Sequence, residues 1–120
     1  MRRSAKLGFL VGFIIIAAAG AYRTPTYRRD VMPILEKNCV ACHSPGHVAP
    51  MPFTTYEEVR PWAPQMKAVV TGKRMPPGVV QHHYGVLGDD GSLAQGEIDI
   101  IVQWVDAGAP EGTIQETLEH

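Results

Sequence analysis

Cysteine occurs twice in this chain, and a histidine directly follows the second: Cys39-Val40-Ala41-Cys42-His43. This C-x-x-C-H arrangement is the attachment signature of c-type haem. Two thiols at that spacing share one turn, so each can add to one haem vinyl group. The adjacent imidazole then reaches the iron from the side that the thioethers anchor. Other uses of the pair fit less well. A thioredoxin-like redox pair expects a βαβ context, and no such pattern surrounds this one. A structural zinc site wants four ligands, but no second cysteine pair exists, leaving His47 and the His82-His83 pair to complete it. A plain disulfide would close too short a loop to stabilise much.

An iron that only passes electrons is usually six-coordinate, which raises the question of its second axial ligand. A thioether opposite histidine favours the ferrous state relative to two histidines. After Met1 the candidates are Met32, Met51, Met66 and Met75, together with His47, His82, His83 and His120. Met32 lies on the helix that would carry the motif and cannot reach round to the far face. Met66 falls mid-helix, where methionine is commonly core filler. Met51 is close to His43 for crossing a ring, and Pro50 and Pro52 flank it. Met75 is the best placed. It follows a helix stop, lies 32 residues beyond His43 and precedes Pro76-Pro77, which hold the chain extended into a stiff loop. A bis-histidine site through His82 or His83 is the alternative.

The elements that must hold these residues read as helices. Asp30 is a candidate N-cap for a helix over about 31–41, with Pro33 in its first turn. Val31, Ile34 and Leu35 lie on its inward face, and its end would deliver the cysteines and His43. Ser44-Pro45-Gly46 then turns the chain. Thr54 with Glu57 and Thr55 with Glu58 are overlapping capping-box signals. Pro61 and Pro64 break the next helical region into a short turn near 56–60 and a helix over about 62–71, stopped by Gly72. Ser92 with Gln95 offers another cap. Ile98, Ile101, Val102 and Val105 recur with the period of an amphipathic helix over about 94–107, closed by Gly108 and Pro110. Strand signals are weak, with at most a short extended stretch over 78–85. The expected fold is a small all-α domain whose first and last helices pack across each other, with loops wrapping a haem. Trp62 and Trp104 are expected in its core or against the haem.

The N-terminus has a different character. Arg2, Arg3 and Lys6 precede an almost unbroken apolar run from Leu7 to Tyr22, with Ala17, Ala19 and Ala21 offering small-residue cleavage sites. Residues 1–22 therefore read as a signal peptide for the general secretory route or as a membrane anchor. The run is 16 residues, short of the roughly 20 that span a bilayer comfortably, which favours cleavage. Arg23, Arg28 and Arg29 just beyond it speak for retention.

The net charge of −1 conceals a split. Setting aside Arg2, Arg3 and Lys6, eight basic residues face twelve acidic ones, and from Val86 onward there are eight acidic residues with no Lys or Arg. With no basic stripe to neutralise phosphates, nucleic-acid binding is not expected. Lys67, Lys73 and Arg74 are candidates for a positive rim near Met75, opposite the acidic C-terminal third. No Ser/His/Asp set, catalytic carboxylate pair or phosphate loop points to an enzyme.

The run Asp30-Val31-Met32-Pro33-Ile34-Leu35, then Cys39 to His43, then Ser44-Pro45-Gly46, resembles the haem-binding opening of bacterial monohaem cytochrome c domains of the class I type. Three later runs resemble one branch of that group: Thr55-Tyr56-Glu57-Glu58-Val59, Arg74-Met75-Pro76-Pro77 and Trp104-Val105-Asp106-Ala107-Gly108-Ala109-Pro110. The similarity covers roughly residues 27–112, taken as the domain, with 113–120 as a C-terminal tail. It implies one covalent haem on Cys39 and Cys42, His43 as proximal and Met75 as distal ligand, and electron transfer in the periplasm or at the outer face of the cytoplasmic membrane. The implied partners are redox proteins or a membrane redox complex, with residues 7–22 as the membrane contact. Two other roles stay open: an anchored cytochrome subunit of a respiratory or photosynthetic complex, and a haem enzyme or sensor with an open iron site.

Overall fold

A computed structural model describes residues 22–77 and 93–118. The expected signal or anchor segment, His82, His83, His120, the stretch over 78–85 and Ser92 lie outside the described residues. Among the described residues every element is helical, and the all-α expectation holds.

The first helical run starts earlier than Asp30. Thr26 is its N-cap: its hydroxyl accepts from the Arg29 N–H at 3.4 Å, and the Asp30 carboxylate reaches back to the Thr26 N–H at 2.8 Å. Asp30 thus serves the cap from inside the helix, where its negative charge also suits the positive end of the backbone dipole. A π-helical turn, Tyr27–Val31, leads into α1, Met32–Asn38. Helix α1 ends at Asn38, so both cysteines lie beyond it, in the turns after its last residue.

Helix α2, Tyr56–Val59, has the full Thr55–Glu58 capping box. Glu58 also accepts from the Thr54 hydroxyl at 2.7 Å and the Thr54 N–H at 2.9 Å. These bonds favour its charged form and hold its carboxyl below the usual 4.5. A 3₁₀ turn, Arg60–Trp62, separates α2 from α3, Ala63–Thr71. Pro61 and Pro64 each occupy a position at the start of a segment, where a missing N–H is tolerated.

Helix α4, Gln95–Asp106, begins where the Glu97 carboxylate accepts from the Ala94 N–H at 3.0 Å. It ends at Gly108, whose φ of +90° suits the left-handed turn after a helix. Helix α4 packs most extensively on α3, and it meets the first helical run chiefly at the π-helical turn rather than along α1. Ile98, Ile101 and Trp104 form its buried line, with Trp104 fully enclosed. Val102 and Val105 are only partly buried. Tyr27, Val31, Ile34, Leu35, Val59, Ala63, Met66 and Val70 complete the core around this line. Met66 is core filler, as expected. Trp62 is not in the core: it is 38% exposed, because the 3₁₀ turn directs it outward while Val59 and Ala63 fill the interior.

The segment after α4 is fastened by three aromatic residues. Trp104 donates its indole N–H to the Pro110 carbonyl at 2.9 Å, and the Tyr27 backbone N–H donates to the same oxygen at 2.9 Å. The Tyr56 hydroxyl donates to the Ala109 carbonyl at 2.8 Å. Beyond it, helix α5, Ile114–Thr117, lies against the π-helical turn. Buried Arg29 pairs there with Glu116, as does Arg28 with Glu111. Gly112 allows this close approach. Its φ is +86°, and a Cβ there would collide with Glu116 and Thr26.

Candidate functional site

The chain from Cys39 to Phe53 makes one hydrogen-bonded loop. The Cys39 N–H donates to the Leu35 carbonyl at 2.8 Å, closing α1. The Cys39 carbonyl then accepts from the N–H groups of both Cys42, at 3.1 Å, and His43, at 2.9 Å. Cys39, Cys42 and His43 therefore belong to one tight turn, which is what the attachment chemistry needs. Both cysteines are partly buried free thiols. Cys39 packs against the core. Its thiol is pushed up to about 12, first by burial and then by the negative charge of Glu97 and by Cys42. Glu97 is held nearby by Lys37 at 3.1 Å and Asn38 at 3.5 Å, a link between the end of α1 and the start of α4.

The loop returns on His43. The Ala49 N–H donates to the Cys42 carbonyl at 3.2 Å, and the Phe53 N–H to the His43 carbonyl at 2.8 Å. This brings the Met51 carbonyl oxygen to 2.9 Å from His43 Nδ1. A carbonyl only accepts, so Nδ1 carries a proton, and Nε2 is the nitrogen left to ligate a metal. A bond of this kind on the rear nitrogen fixes the tautomer and orientation of an imidazole ligand. The Phe53 ring, buried, stacks on the imidazole with centroids 4.4 Å apart and planes 14° from parallel. The donor set thus fits a covalently held haem: two thiols on one turn, and beside them an imidazole whose Nδ1 is engaged by the backbone.

Met75 stands on another element. After α3 the chain folds back on itself: the N–H groups of Arg74 and Met75 both donate to the Val69 carbonyl, at 2.8 and 3.3 Å. Lys73, with φ of +53°, makes the bend. The Met75 side chain is 42% exposed. The structure brings Cys39, Cys42 and His43 together, and it presents Met75 separately on a short backbone-anchored loop. Of the other described sixth-ligand candidates, Met66 is committed to the core, Met32, the first residue of α1, packs against the core, Met51 packs against the core while its carbonyl serves His43, and His47 is exposed. Lys67 belongs to no open positive rim: it pairs with Asp106, tying α3 to α4, while Lys73 and Arg74 are exposed beside Met75.

Sequence reasoning missed Met51 and Phe53 as supports of His43, and Arg29 as a buried ion-pair centre. Only Pro50 and Pro52 hinted at a stiffened loop around Met51. Among the described residues no helix is long and apolar enough to cross a membrane, and no cluster of three or more His, Cys, Asp or Glu side chains is poised to hold a bare metal ion. No known protein family, curated protein or solved structure matches this chain.

Proposed function

We propose that this chain is an electron carrier of the class I cytochrome c type. Cys39 and Cys42 bond one haem, His43 Nε2 is its proximal ligand and the Met75 thioether its distal ligand. The observation that carries this reading is the pairing of His43 Nδ1 with the Met51 carbonyl, directly beside two thiols on the same turn. It leaves an imidazole that can only ligate through Nε2. When bound, the haem supplies the one-electron chemistry.

The protein's own residues do the rest. The Cys39–His43 turn fixes where the group is held. Met51 keeps a proton on Nδ1, which leaves Nε2 as the ligating nitrogen. Leu35, Cys39 and the core beneath them offer an apolar wall that excludes water from one side. Met75, on its bend beyond α3, offers a soft ligand that favours the ferrous state. Its stem is held by the backbone bonds to Val69, so little need move when the charge changes.

Intact mass of protein exported from a host that makes thioether bonds tests the reading. The expected species carries one haem, and its mass also shows whether residues 1–22 are removed, as for a soluble carrier, or retained, as for an anchored subunit. Colourless protein with both thiols open to alkylation would overturn it.

A further inference from the structure

Beyond its axial ligands, the geometry points to Phe53 as the residue that sets the plane of the His43 imidazole, an inference that rests on the haem reading above. Two restraints act on this ring, and they differ in kind. The Met51 carbonyl holds Nδ1 at 2.9 Å, but a carbonyl oxygen accepts over a broad range of directions. That bond alone leaves the imidazole able to rock about an axis through Nε2. Rocking swings the ring out of its plane, and Phe53 opposes that motion. Its ring centroid lies 4.4 Å from that of the imidazole, with the planes 14° from parallel, so rotation toward it brings ring atoms into collision.

Phe53 is itself hard to displace. It is a buried member of the core cluster, and its backbone N–H is bonded to the His43 carbonyl at 2.8 Å. The aromatic face and the imidazole are therefore indexed to each other through the main chain as well as through contact. Phe53 supplies no ligand to the iron; it is a positioning residue. Its consequence is electronic. In a low-spin ferric haem the plane of an axial imidazole breaks the symmetry of the porphyrin, and the four ring-methyl proton resonances spread apart accordingly.

The test is proton NMR of the oxidised haem protein and its variants, which thioether attachment keeps loaded. Wild type and Phe53→Tyr, which retains the flat face, should show the same wide spread of haem-methyl shifts. Phe53→Leu and Phe53→Met, which keep apolar bulk without the face, should lose much of that spread. Should the Leu variant fail to fold, the more adaptable Met side chain carries the same comparison. A wild-type spread in the Leu or Met variant would overturn the proposal. A spread lost equally in the Tyr variant would overturn it too, since general repacking would then explain the change. Independently of any variant, reduced wild-type protein should give cross-peaks between the Phe53 and His43 rings, and their absence would refute the placement. Wild-type protein with no haem resonances at all would instead defeat the underlying cytochrome reading, and this inference with it.

Discussion

At the scale of single residues, the site divides into groups that bind and groups that prepare them. In the proposed reading Met75 belongs to the first. Its exposed thioether on a backbone-anchored bend should bond the iron, so Met75→Ala should abolish the weak red charge-transfer band of thioether-ligated ferric haem. The same variant should lower the reduction potential, because the remaining ligands favour the ferrous state less. An unchanged spectrum and potential would remove Met75 from the site. Cys39 shows preparation of another sort. In the chain without haem its thiol is held up at about 12 by burial, so at neutral pH the folded protein keeps it protonated. Between about 9, the ordinary thiol value, and about 12 the unfolded chain loses this proton while the folded chain retains it. Stability from this group is therefore complete below about 9 and declines as pH rises toward 12. Denaturant melts of haem-free protein across that range should show a falling midpoint, and Cys39→Ala should flatten the trend. Both cysteines and His43 were legible in the sequence because their chemistry depends on spacing along the chain. Phe53 and the Met51 carbonyl were not, since their roles depend on a loop closing back over ten residues, and no periodicity records such a return.

At the scale of elements, the cap of α2 was readable in the sequence, and the buried ion pair of Arg29 was not. Thr55 and Glu58 announced α2 because a capping box is a local pattern, with both partners within one turn. Thr55→Ala removes one of its two reciprocal bonds and should lower stability by about 1 kcal/mol, measurable as a fall of several degrees in the thermal midpoint for a domain of this size. The start of the first helical run is ambiguous in sequence because Asp30 and Thr26 are both good cap residues and the apolar period begins at Val31. The structure gives the cap to Thr26 and uses Asp30 to reach back to it. Arg29 looks in sequence like part of a cationic flank, yet it is buried and ion-paired with Glu116 on α5. Nothing within a turn of Arg29 announces a partner 87 residues away. Glu116 gathers the Thr113 N–H, the Thr26 hydroxyl and the Arg29 guanidinium, and together these hold its carboxyl below the usual 4.5. A depressed carboxylate contributes stability above the unfolded value that is lost as pH falls through the lower folded one. Helix α5 should therefore release from the π-helical turn on acidification below about 4.5, ahead of global unfolding. Amide exchange should register this as lost protection at 114–117 while α3 and α4 stay protected, and Glu116→Gln should produce the same release at neutral pH.

At the scale of the whole molecule, charge is sorted along the chain more strictly than its small net value suggests. Past Arg74 there is no Lys or Arg, whereas eight acidic residues follow Val86. Pairing sharpens the division, since Lys67 is committed to Asp106 and Lys37 to Glu97. Lys73 and Arg74 remain exposed at the bend that carries Met75. Two positive charges beside the proposed distal ligand would give an approaching anion a favourable face, and steering of this kind changes association rates without changing contacts. Reduction by a small anionic complex should therefore be slowed several-fold at low ionic strength in a Lys73→Glu, Arg74→Glu double variant, and reduction by a cationic complex accelerated. Both differences should vanish near 1 M salt, where the screening length falls to about 3 Å. The signs separate steering from damage: a variant that merely disturbed the Met75 loop would change both rates in the same direction and would keep doing so in high salt. Stopped-flow rates with the two reagents across a salt series distinguish these outcomes. Unchanged rates with both reagents at every salt concentration would mean that electrons enter elsewhere and that the Met75 bend is no docking face.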